Sequence, residues 1–248
     1  MAGASELRMS RQIHSRSGMV VVCNGMPRSA STWAFNVALG LCRATDPDSE
    51  VYSGYDENVE QFFASAPATA VHLVVKCHGL DACGRRLARS GAGKTIYTWR
   101  DPADAVVSCM NMFGYDFERA FAAVESSLVL CDFLRRAGTA LIMGYDEITT
   151  APAEAVARFM EYLGLDRSER IAAGVADENS FERMHERAEQ LRQRNGTRLV
   201  WVGEFAHDPE TLLHPGHLRD GRTGYGREIL GPHEIDRCDA LLERYVRF

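Results

Sequence analysis

Short runs of apolar and β-branched residues alternate along this chain with longer stretches that have helical periodicity. The strand-like runs end at Asn24, Cys77, Trp99 and near Tyr145. Helical spacing of apolar positions follows over residues 31–43, 101–113, 117–137, 151–163 and 181–195, and a last amphipathic helix is predicted over residues 232–248. Strands that alternate with helices favour a parallel sheet covered on both faces. The pattern therefore predicts an α/β fold of three layers, α/β/α, with a central parallel sheet.

Length and composition suit one folded domain. The chain has 248 residues, of which 46% are hydrophobic and 25% are charged, as is typical of globular proteins. We expect a flexible N-terminal tail over residues 1–18, which are polar, and a single domain over residues 19–248. No segment resembles a secretory signal or a membrane span, so we expect a cytoplasmic protein with no membrane contact. The net charge of −6 disfavours a broad nucleic-acid surface.

Cysteine usage gives no indication of a metal. The chain has seven cysteines, an odd number, and they form no C-x-x-C pair. Scattered cysteines in such a chain are typically reduced thiols that pack as small hydrophobic residues. We therefore expect no disulfide framework and no metal site.

A small polar loop separates the first apolar run from the first helical pattern. Residues 20–39 read VVVCNGMPRSASTWAFNVAL, which is the outline of a phosphate-binding loop between a strand and a helix. When the pattern G-x-x-x-x-G-K-[ST] is laid over Gly25, Ala30 takes the place of the second glycine and Ser31 that of the lysine. Thr32 keeps the hydroxyl position, and Arg28 supplies a cation earlier in the loop. We call residues 25–32 the first loop.

The first loop is suited to a single phosphate. Backbone N–H groups and hydroxyls of Ser29, Ala30, Ser31 and Thr32 can surround an anion at the start of a helix. The lysine that reaches the β- and γ-phosphates of ATP is missing, so we expect the loop to bind a triphosphate weakly. The alternative is an ordinary helix start in which Ser29 or Ser31 caps the first amides.

Two further polar groups follow predicted strands. Lys76 and His78 are two residues apart in VVKCHG, so in an extended segment they point the same way. A histidine there can remove a proton from a hydroxyl group, although an incidental pair at a strand end is the alternative. His72 is expected to be structural.

The segment YTWRDPADAVVSCMNMF contains a strong helix start. Asp101, Pro102 and Asp104 are explained by capping and by the helix dipole. Arg100 and Ser108 are not, and together they suggest a second anion site. Because ligands of parallel sheets bind at the carboxyl ends of the strands, we expect all these groups to share one cleft.

Six motifs then occur in the order found in sulfotransferases that use 3′-phosphoadenosine 5′-phosphosulfate (PAPS). Residues 27–33 (PRSASTW) resemble that family's P-[KR]-S-G-[ST]-T-W loop, and residues 76–78 (KCH) resemble its K-[TS]-H segment. Its R-[ND]-P-x-D-x-x-x-S pattern is matched over residues 100–108. Similar to its later motifs are residues 145–147 (YDE), 180–184 (SFERM) and 219–224 (RDGRTG). The resemblance implies the P-loop nucleoside triphosphate hydrolase-like sulfotransferase fold.

The resemblance also implies roles for individual residues. The first loop would hold the 5′-phosphate of PAPS, with Arg28 near the bridging oxygen, and Trp33, which follows the loop, would stack on adenine. Arg100, Ser108 and Arg219 would bind the 3′-phosphate, and Gly221 lies in the same terminal motif as Arg219. Tyr145 and Phe181 would help to line the adenine pocket. His78 would act as general base on the hydroxyl or amine of a small-molecule acceptor, and Lys76 would stabilise the transferring group, without a metal.

The chain departs from the family pattern at several positions. Ala30 replaces the loop glycine, so we expect its backbone to avoid positive φ. Cys77 replaces Thr or Ser, and a thiolate nucleophile at this position is an alternative. Gly226 stands where the family has Trp, so a looser closing loop is expected. The family's lysine-containing dimer motif is impossible because no lysine follows Lys94, which leaves the oligomeric state open.

The acceptor side is the least informative part of the sequence. Residues 53–63 (SGYDENVEQFF) either face a cationic or polar acceptor or form a solvated helix face. His207, His214 and His217 are expected to be loop residues. Two other functions stay open from the residues alone: a P-loop kinase or nucleotide hydrolase, and a nucleotide-binding protein without catalysis.

Overall fold

The computed structural model describes residues 18–193, 199–202, 205–216, 218 and 221–246. Of the expected tail over residues 1–18, only Gly18 lies within these ranges, and Arg219 and His217 lie outside them. The single domain expected over residues 19–248 stays a prediction.

A five-stranded parallel sheet forms the centre of the fold. Its strands are β1 (Val20–Gly25), β2 (Val51–Tyr55), β3 (His72–Lys76), β4 (Lys94–Trp99) and β5 (Leu141–Gly144), and their order across the sheet is β2-β3-β1-β4-β5. In the register of the sheet, Cys23 lies opposite Lys76, and Gly25 lies opposite Thr98. The carboxyl ends of β3, β1 and β4 are therefore neighbours, and the polar segments after them meet at one edge.

Helices cover both faces of this sheet. They are α1 (Ser31–Thr45), α2 (Val59–Ser65), α3 (Ala82–Ser90), α4 (Pro102–Phe113), α5 (Phe117–Ala137), α6 (Tyr145–Thr150), α7 (Pro152–Leu163), α8 (Glu169–Glu178), α9 (Phe181–Gln193), α10 (Tyr225–Ile229) and α11 (Pro232–Tyr245). Val21 and Cys23 pack with α1, α7 and α8, whereas Val22 packs with α2, α3 and α5. Alternate residues of a strand point to opposite faces, so the two clusters lie on opposite sides of the sheet. The predicted α/β fold with a central parallel sheet is confirmed.

Some elements were not predicted from the pattern. Strand β2, the short helix α2, and helices α3 and α8 lie in segments to which we assigned no element. The acidic and aromatic segment 53–63 is not one solvated helix face, because residues 53–55 belong to β2 and a helix begins only at Val59. A small antiparallel pair, β6 (Val200–Val202) and β7 (Phe205–His207), was also missed.

The predicted helix start at Asp101 is confirmed. Its carboxylate accepts hydrogen bonds from the N–H groups of Ala103 (3.0 Å) and Asp104 (3.3 Å), and Pro102 is the first helical residue of α4. Within the described ranges, none of the helices combines the length and the apolar character needed to cross a lipid bilayer.

Candidate functional site

The first loop has an unusual backbone conformation. Arg28 (φ 68°) and Ala30 (φ 72°) both lie in the left-handed region, so the expectation that Ala30 avoids positive φ is wrong. For a residue with a Cβ this conformation costs about 1–2 kcal/mol. The cost is offset by the anchoring of Ser29, whose hydroxyl lies 2.6 Å from the Met26 carbonyl oxygen and 2.8 Å from that of Thr98. The loop is thus tied to the end of β4.

The start of α1 is left without a side-chain cap. Ala30 is the N-cap residue, and among the described residues no side chain accepts a hydrogen bond at this position. The alternative in which Ser29 or Ser31 caps the helix is therefore wrong. The first turn of a helix carries unpaired N–H groups and a partial positive charge. In this loop those donors are available to an anion.

The residues predicted for two anion sites meet on the β4 side of the loop. Arg28 Nε donates a hydrogen bond of 3.0 Å to Ser108 Oγ on α4. Arg100 lies with its Cζ 4.2 Å from the centroid of the Tyr145 ring, and its Nη2 donates to the carbonyl oxygen of Arg222 at 2.5 Å. Arg100 Nε is buried and has no hydrogen-bond partner among the described residues. A buried charged donor without an acceptor among these residues can bind an anionic group.

Asp104, in the first turn of α4, binds the backbone at Gly224 and Gly226. Its two carboxylate oxygens accept hydrogen bonds from the N–H groups of Gly226 (2.6 Å) and Gly224 (2.8 Å), and its Oδ2 lies 3.5 Å from Arg100 Nη2. A Cβ on Gly226 would come within 2.2 Å of the Ala103 carbonyl carbon. Although we expected a looser loop at Gly226, this residue is packed directly against the start of α4.

A cavity of about 330 Å³ lies between these elements. Its wall includes the sequence-predicted residues Arg28, Ala30, Thr32, Trp33, Arg100, Ser108, Tyr145, Phe181 and Gly221. Ser29 and Ser31 are buried beside the wall without lining it. Tyr145 donates a hydrogen bond to the Gly221 carbonyl oxygen (3.3 Å). The cavity therefore combines two arginines with four aromatic side chains, because Tyr225 also lines it.

Lys76 and His78 meet on the β3 side of the same loop. Lys76 Nζ lies 3.3 Å from His78 Nε2, and His78 Nδ1 lies 2.8 Å from the Gly25 carbonyl oxygen. A carbonyl oxygen can only accept, so Nδ1 carries the proton and Nε2 keeps its lone pair. Neither residue lines the 330 Å³ cavity, but the charge of Arg28 contributes to lowering both of their pKa values, which places them within its electrostatic range.

Burial shifts the pKa values of this pair. Loss of water lowers the pKa of Lys76 to about 8, and burial together with the Lys76 charge lowers the pKa of His78 to about 4. At neutral pH the imidazole is therefore uncharged while Lys76 is largely an ammonium. This is a proton acceptor beside a cation.

Cys77, between them, is a structural thiol. It is fully buried and accepts a hydrogen bond from Asn24 Nδ2 at 3.2 Å. Burial raises its pKa to about 12, so the thiol stays protonated at physiological pH. The alternative of a thiolate nucleophile is wrong.

Comparison with known proteins identifies the fold. No protein-family model matches the sequence, and the curated proteins contain no match. Among solved structures, mouse sulfotransferase SULT7A1 complexed with PAP matches with a TM-score of 0.65 and 15% identity, covering 99% of this chain and 90% of that one. Retinol dehydratase in complex with retinol and PAP matches with a TM-score of 0.64 and 14% identity, covering 98% and 86%. This chain has the sulfotransferase fold.

A further complex of retinol dehydratase, with androsterone and PAP, has the same relation to the chain: a TM-score of 0.65, 14% identity, and coverage of 97% of this chain and 85% of that one. The similarity extends over almost the whole chain at very low identity. In this sulfotransferase fold, the motif residues after β1, β3 and β4 lie together at one edge of the sheet.

Several residues of the site carry no signal that we recognised in the sequence. Asn179, Thr149 and Tyr225 line the cavity of this sulfotransferase fold. On the β3 side, Glu57 accepts hydrogen bonds from the N–H groups of His78 (3.0 Å) and Gly79 (2.7 Å). The only available signal was the acidic and aromatic composition of residues 53–63.

Of the C-terminal histidines that we expected to be loop residues, His207 ends β7 and His214 is buried, with ring centroids 5.2 Å apart. Both imidazoles are affected by the charge of Lys76, which contributes to lowering their pKa values after the larger effect of burial. The segment that carries them therefore lies near the β3 side of the site.

Proposed function

We propose that this chain is a PAPS-dependent sulfotransferase, which moves the sulfuryl group of PAPS to a hydroxyl or amine of a small-molecule acceptor and releases adenosine 3′,5′-bisphosphate. The observation that carries the proposal is that Arg28 and Arg100 both line one cavity with aromatic walls. Arg28, hydrogen-bonded to Ser108, lies in the first loop, and Arg100, whose Nε has no partner within the described part of the chain, follows β4. Such a cavity suits a nucleotide with two distant monophosphate groups.

The donor fits the residues present. The uncapped start of α1 and the cation of Arg28 suit the 5′-phosphate end, where one phosphate is the leaving group. Arg100 and Ser108 suit the 3′-phosphate, and Trp33, Tyr145 and Phe181 supply ring surface for adenine. Arg219, which lies outside the described residues, remains a proposed ligand of the 3′-phosphate. Since the loop has no lysine for a γ-phosphate, ATP is the poorer substrate.

The chemistry assigns separate tasks to His78 and Lys76. His78 Nε2 accepts the proton of the acceptor hydroxyl or amine as that atom forms a bond to sulfur. The bond between sulfur and the 5′-phosphate oxygen breaks, and its electron pair stays on that oxygen. Lys76 and Arg28 place fixed positive charge where this negative charge develops, an effect typically worth about 10²–10³ in rate.

The acceptor is proposed only as a class. Retinol dehydratase is a structural neighbour crystallised with retinol and with androsterone, which are hydroxylated small molecules. We extend this to the present chain as an expectation of a small organic acceptor, bound near Lys76, His78 and the segment that carries His207 and His214.

Thermal unfolding with three nucleotides tests the proposal. We expect adenosine 3′,5′-bisphosphate at about 100 times its Kd to add roughly 2.7 kcal/mol of apparent stability, or a shift of about 5–10 °C for a chain of this length. The 5′-monophosphate should give a much smaller shift at equal concentration. Equal shifts would remove Arg100 and Ser108 from the 3′-phosphate site, and a larger shift with ATP and Mg²⁺ would favour a kinase or hydrolase.

A further inference from the structure

The edge strand β2 brings an aromatic ring against Lys76. In the parallel pairing of β2 with β3, Tyr55 lies opposite Lys76, and the N–H of Asp56 donates to the Lys76 carbonyl oxygen at 3.1 Å. Lys76 Nζ is 5.1 Å from the centroid of the Tyr55 ring. A cation at this distance is attracted to the face of the ring, and more strongly when water is excluded. Lys76 is only 7% exposed, so this attraction acts on a desolvated ammonium.

Glu57, two residues further on, holds the backbone that carries His78. Its Oε1 accepts from the N–H of His78 at 3.0 Å, and its Oε2 accepts from the N–H of Gly79 at 2.7 Å. The Tyr55 hydroxyl also donates to Oε1. Partial burial alone would raise the pKa of Glu57, but these three hydrogen bonds hold it below its usual value. The carboxylate is therefore charged at neutral pH.

His78 is thus fixed from two sides. Its ring nitrogen Nδ1 is held by the Gly25 carbonyl of the first loop, and its backbone is held by Glu57. Because β3 ends at Lys76, no sheet hydrogen bonds continue to residue 78, so Glu57 replaces them. Hydrogen bonds that backbone N–H groups donate to a charged carboxylate are about twice as strong as those between neutral groups.

We propose that Tyr55 and Glu57 are positioning residues for the transfer step: the Tyr55 ring holds the Lys76 ammonium, and the Glu57 carboxylate fixes the segment that presents His78. The inference rests on the proposed function for its catalytic meaning. Neither residue lies in any of the six motifs of the sequence. Both act through Lys76 and His78 and need not touch the substrate.

Glu57 also sets the charge balance of the pair. The titratable and charged groups that act on Lys76 or are affected by it are Glu57, Arg28, His78, Cys23, Cys77, His207 and His214. The two thiols stay protonated because burial raises their pKa values, so Glu57 is the anion in this set at neutral pH. Its charge raises the pKa of Lys76 against the opposing effects of burial and of Arg28.

The scarcity of lysine allows a direct test that does not depend on activity. Lys76 and Lys94 are the only lysines in the chain, so selective ¹³C labelling of lysine gives two side-chain signals, and Lys94→Arg assigns them. We expect the Lys76 signal to titrate near pH 8. Tyr55→Leu should lower that midpoint by about half a pH unit or more, the shift that follows from losing a cation–π contact.

Tyr55→Phe is the matched control, because it keeps the ring and removes only the hydroxyl group. Its midpoint should stay closer to that of the wild type than the midpoint of Tyr55→Leu. Glu57→Gln, which keeps the shape and removes the charge, should also lower the midpoint. If Tyr55→Leu leaves the Lys76 titration unchanged, or shifts it no more than Tyr55→Phe does, the placement of Lys76 by the ring is wrong.

Kinetics then separate positioning from general stability. Glu57→Gln should lower kcat about tenfold or more with KM for PAPS changed less than about twofold. Activity requires charged Lys76, so it should fall as pH rises through about 8, and the lower Lys76 pKa in Glu57→Gln should move this fall to lower pH. Glu57→Asp should restore the wild-type pH profile in part.

A loss of activity with an unmoved pH profile would overturn the positioning role of Glu57. Circular dichroism and the unfolding temperature identify a variant that fails to fold, and the milder Glu57→Asp then carries the test. If the wild type shows no PAPS-dependent turnover at all, the proposed function fails. In that case the lysine titration still decides whether Tyr55 and Glu57 control Lys76.

Discussion

The residues on the β4 side of the first loop and those on its β3 side are stabilised by different kinds of interaction. On the β4 side, charged groups meet counter-charges and backbone groups: Arg100 lies beside Asp104, and Asp104 accepts from two glycine N–H groups. On the β3 side, Lys76 and His78 are desolvated and have strongly lowered pKa values. This difference fits our proposal that the β4 side holds an anion and the β3 side moves a proton.

The difference separates binding from chemistry. Perturbed pKa values are concentrated where groups must change protonation state during a reaction. A binding site instead keeps its charges fixed and its donors accessible to the ligand, and Arg100 Nε has no partner among the residues that the structure describes. Substitutions on the β3 side should therefore lower kcat, whereas substitutions on the β4 side should lower nucleotide affinity.

The largest expected effect is on turnover. His78→Ala removes the proton acceptor on the β3 side and should lower kcat by about 10²–10⁴-fold, the range typical of a lost general base. Affinity for adenosine 3′,5′-bisphosphate should stay within about twofold, because His78 does not line the 330 Å³ cavity proposed to bind the nucleotide. Single-turnover kinetics and calorimetric binding measure the two quantities.

His72→Ala is the control for His78→Ala. His72 is a buried histidine at the start of β3, the strand that precedes His78; one of its ring nitrogens accepts from the Met19 N–H and the other lies 3.1 Å from Asp46. Its substitution should therefore lower stability without a specific loss of kcat. Turnover retained in His78→Ala would remove this residue from the mechanism.

The next effect is on binding. Arg100→Met removes a charged donor from the β4 side, and hydrogen bonds to charged groups contribute about 1.5–3 kcal/mol. Affinity for adenosine 3′,5′-bisphosphate should therefore fall roughly 10–100-fold, with the affinity for 5′-AMP almost unchanged. Titration calorimetry with the two nucleotides gives the ratio directly.

Arg170→Met, at an exposed arginine of α8, controls for a general loss of positive charge. It should leave both nucleotide affinities unchanged. If Arg100→Met lowered the affinity for both nucleotides equally, Arg100 would not recognise the 3′-phosphate. The β4 side would then have no specific role in nucleotide binding.

The two sides also differ in how far the sequence predicts them. The inner strands β1, β3 and β4 were recognised because buried strands are near-continuous apolar runs. Strand β2 was missed because VYSGY is half-buried throughout and contains a serine and a glycine at its third and fourth positions. Because β2 was not predicted, no contact of Tyr55 or Glu57 with Lys76 and His78 was predicted either. Only the pairing of β2 with β3 brings these residues together.

The contacts of Glu57 explain why no motif marks it. It binds backbone N–H groups of His78 and Gly79, and backbone groups are present whatever the side chains are. The β4 side is different: Arg28 with Ser108 and Arg100 with Tyr145 are contacts between side chains, and their residue types are visible in the sequence. The motif residues that meet on the β4 side could therefore be predicted from the sequence. Glu57, which supports the site through backbone groups, could not.

The smallest expected effect concerns the first loop itself. Ala30 has φ 72°, a conformation that glycine adopts without steric cost. Alanine adopts it here because closure of the loop outweighs the preference of one residue. Ala30→Gly should raise the free energy of unfolding by about 1 kcal/mol, which is roughly 2–4 °C in Tm for a chain of this size. Chemical denaturation measures the change.

Ala173→Gly is the matched control, since Ala173 is an exposed residue within α8, where glycine costs about 1 kcal/mol. The two identical substitutions should thus have opposite signs. A destabilised Ala30→Gly would mean that the entropy of the glycine exceeds the strain released, and that the left-handed conformation at residue 30 costs little. Opposite signs would show that the first loop is held in its anion-ready conformation by its anchors at Ser29 and Thr98, against the preference of its own residue.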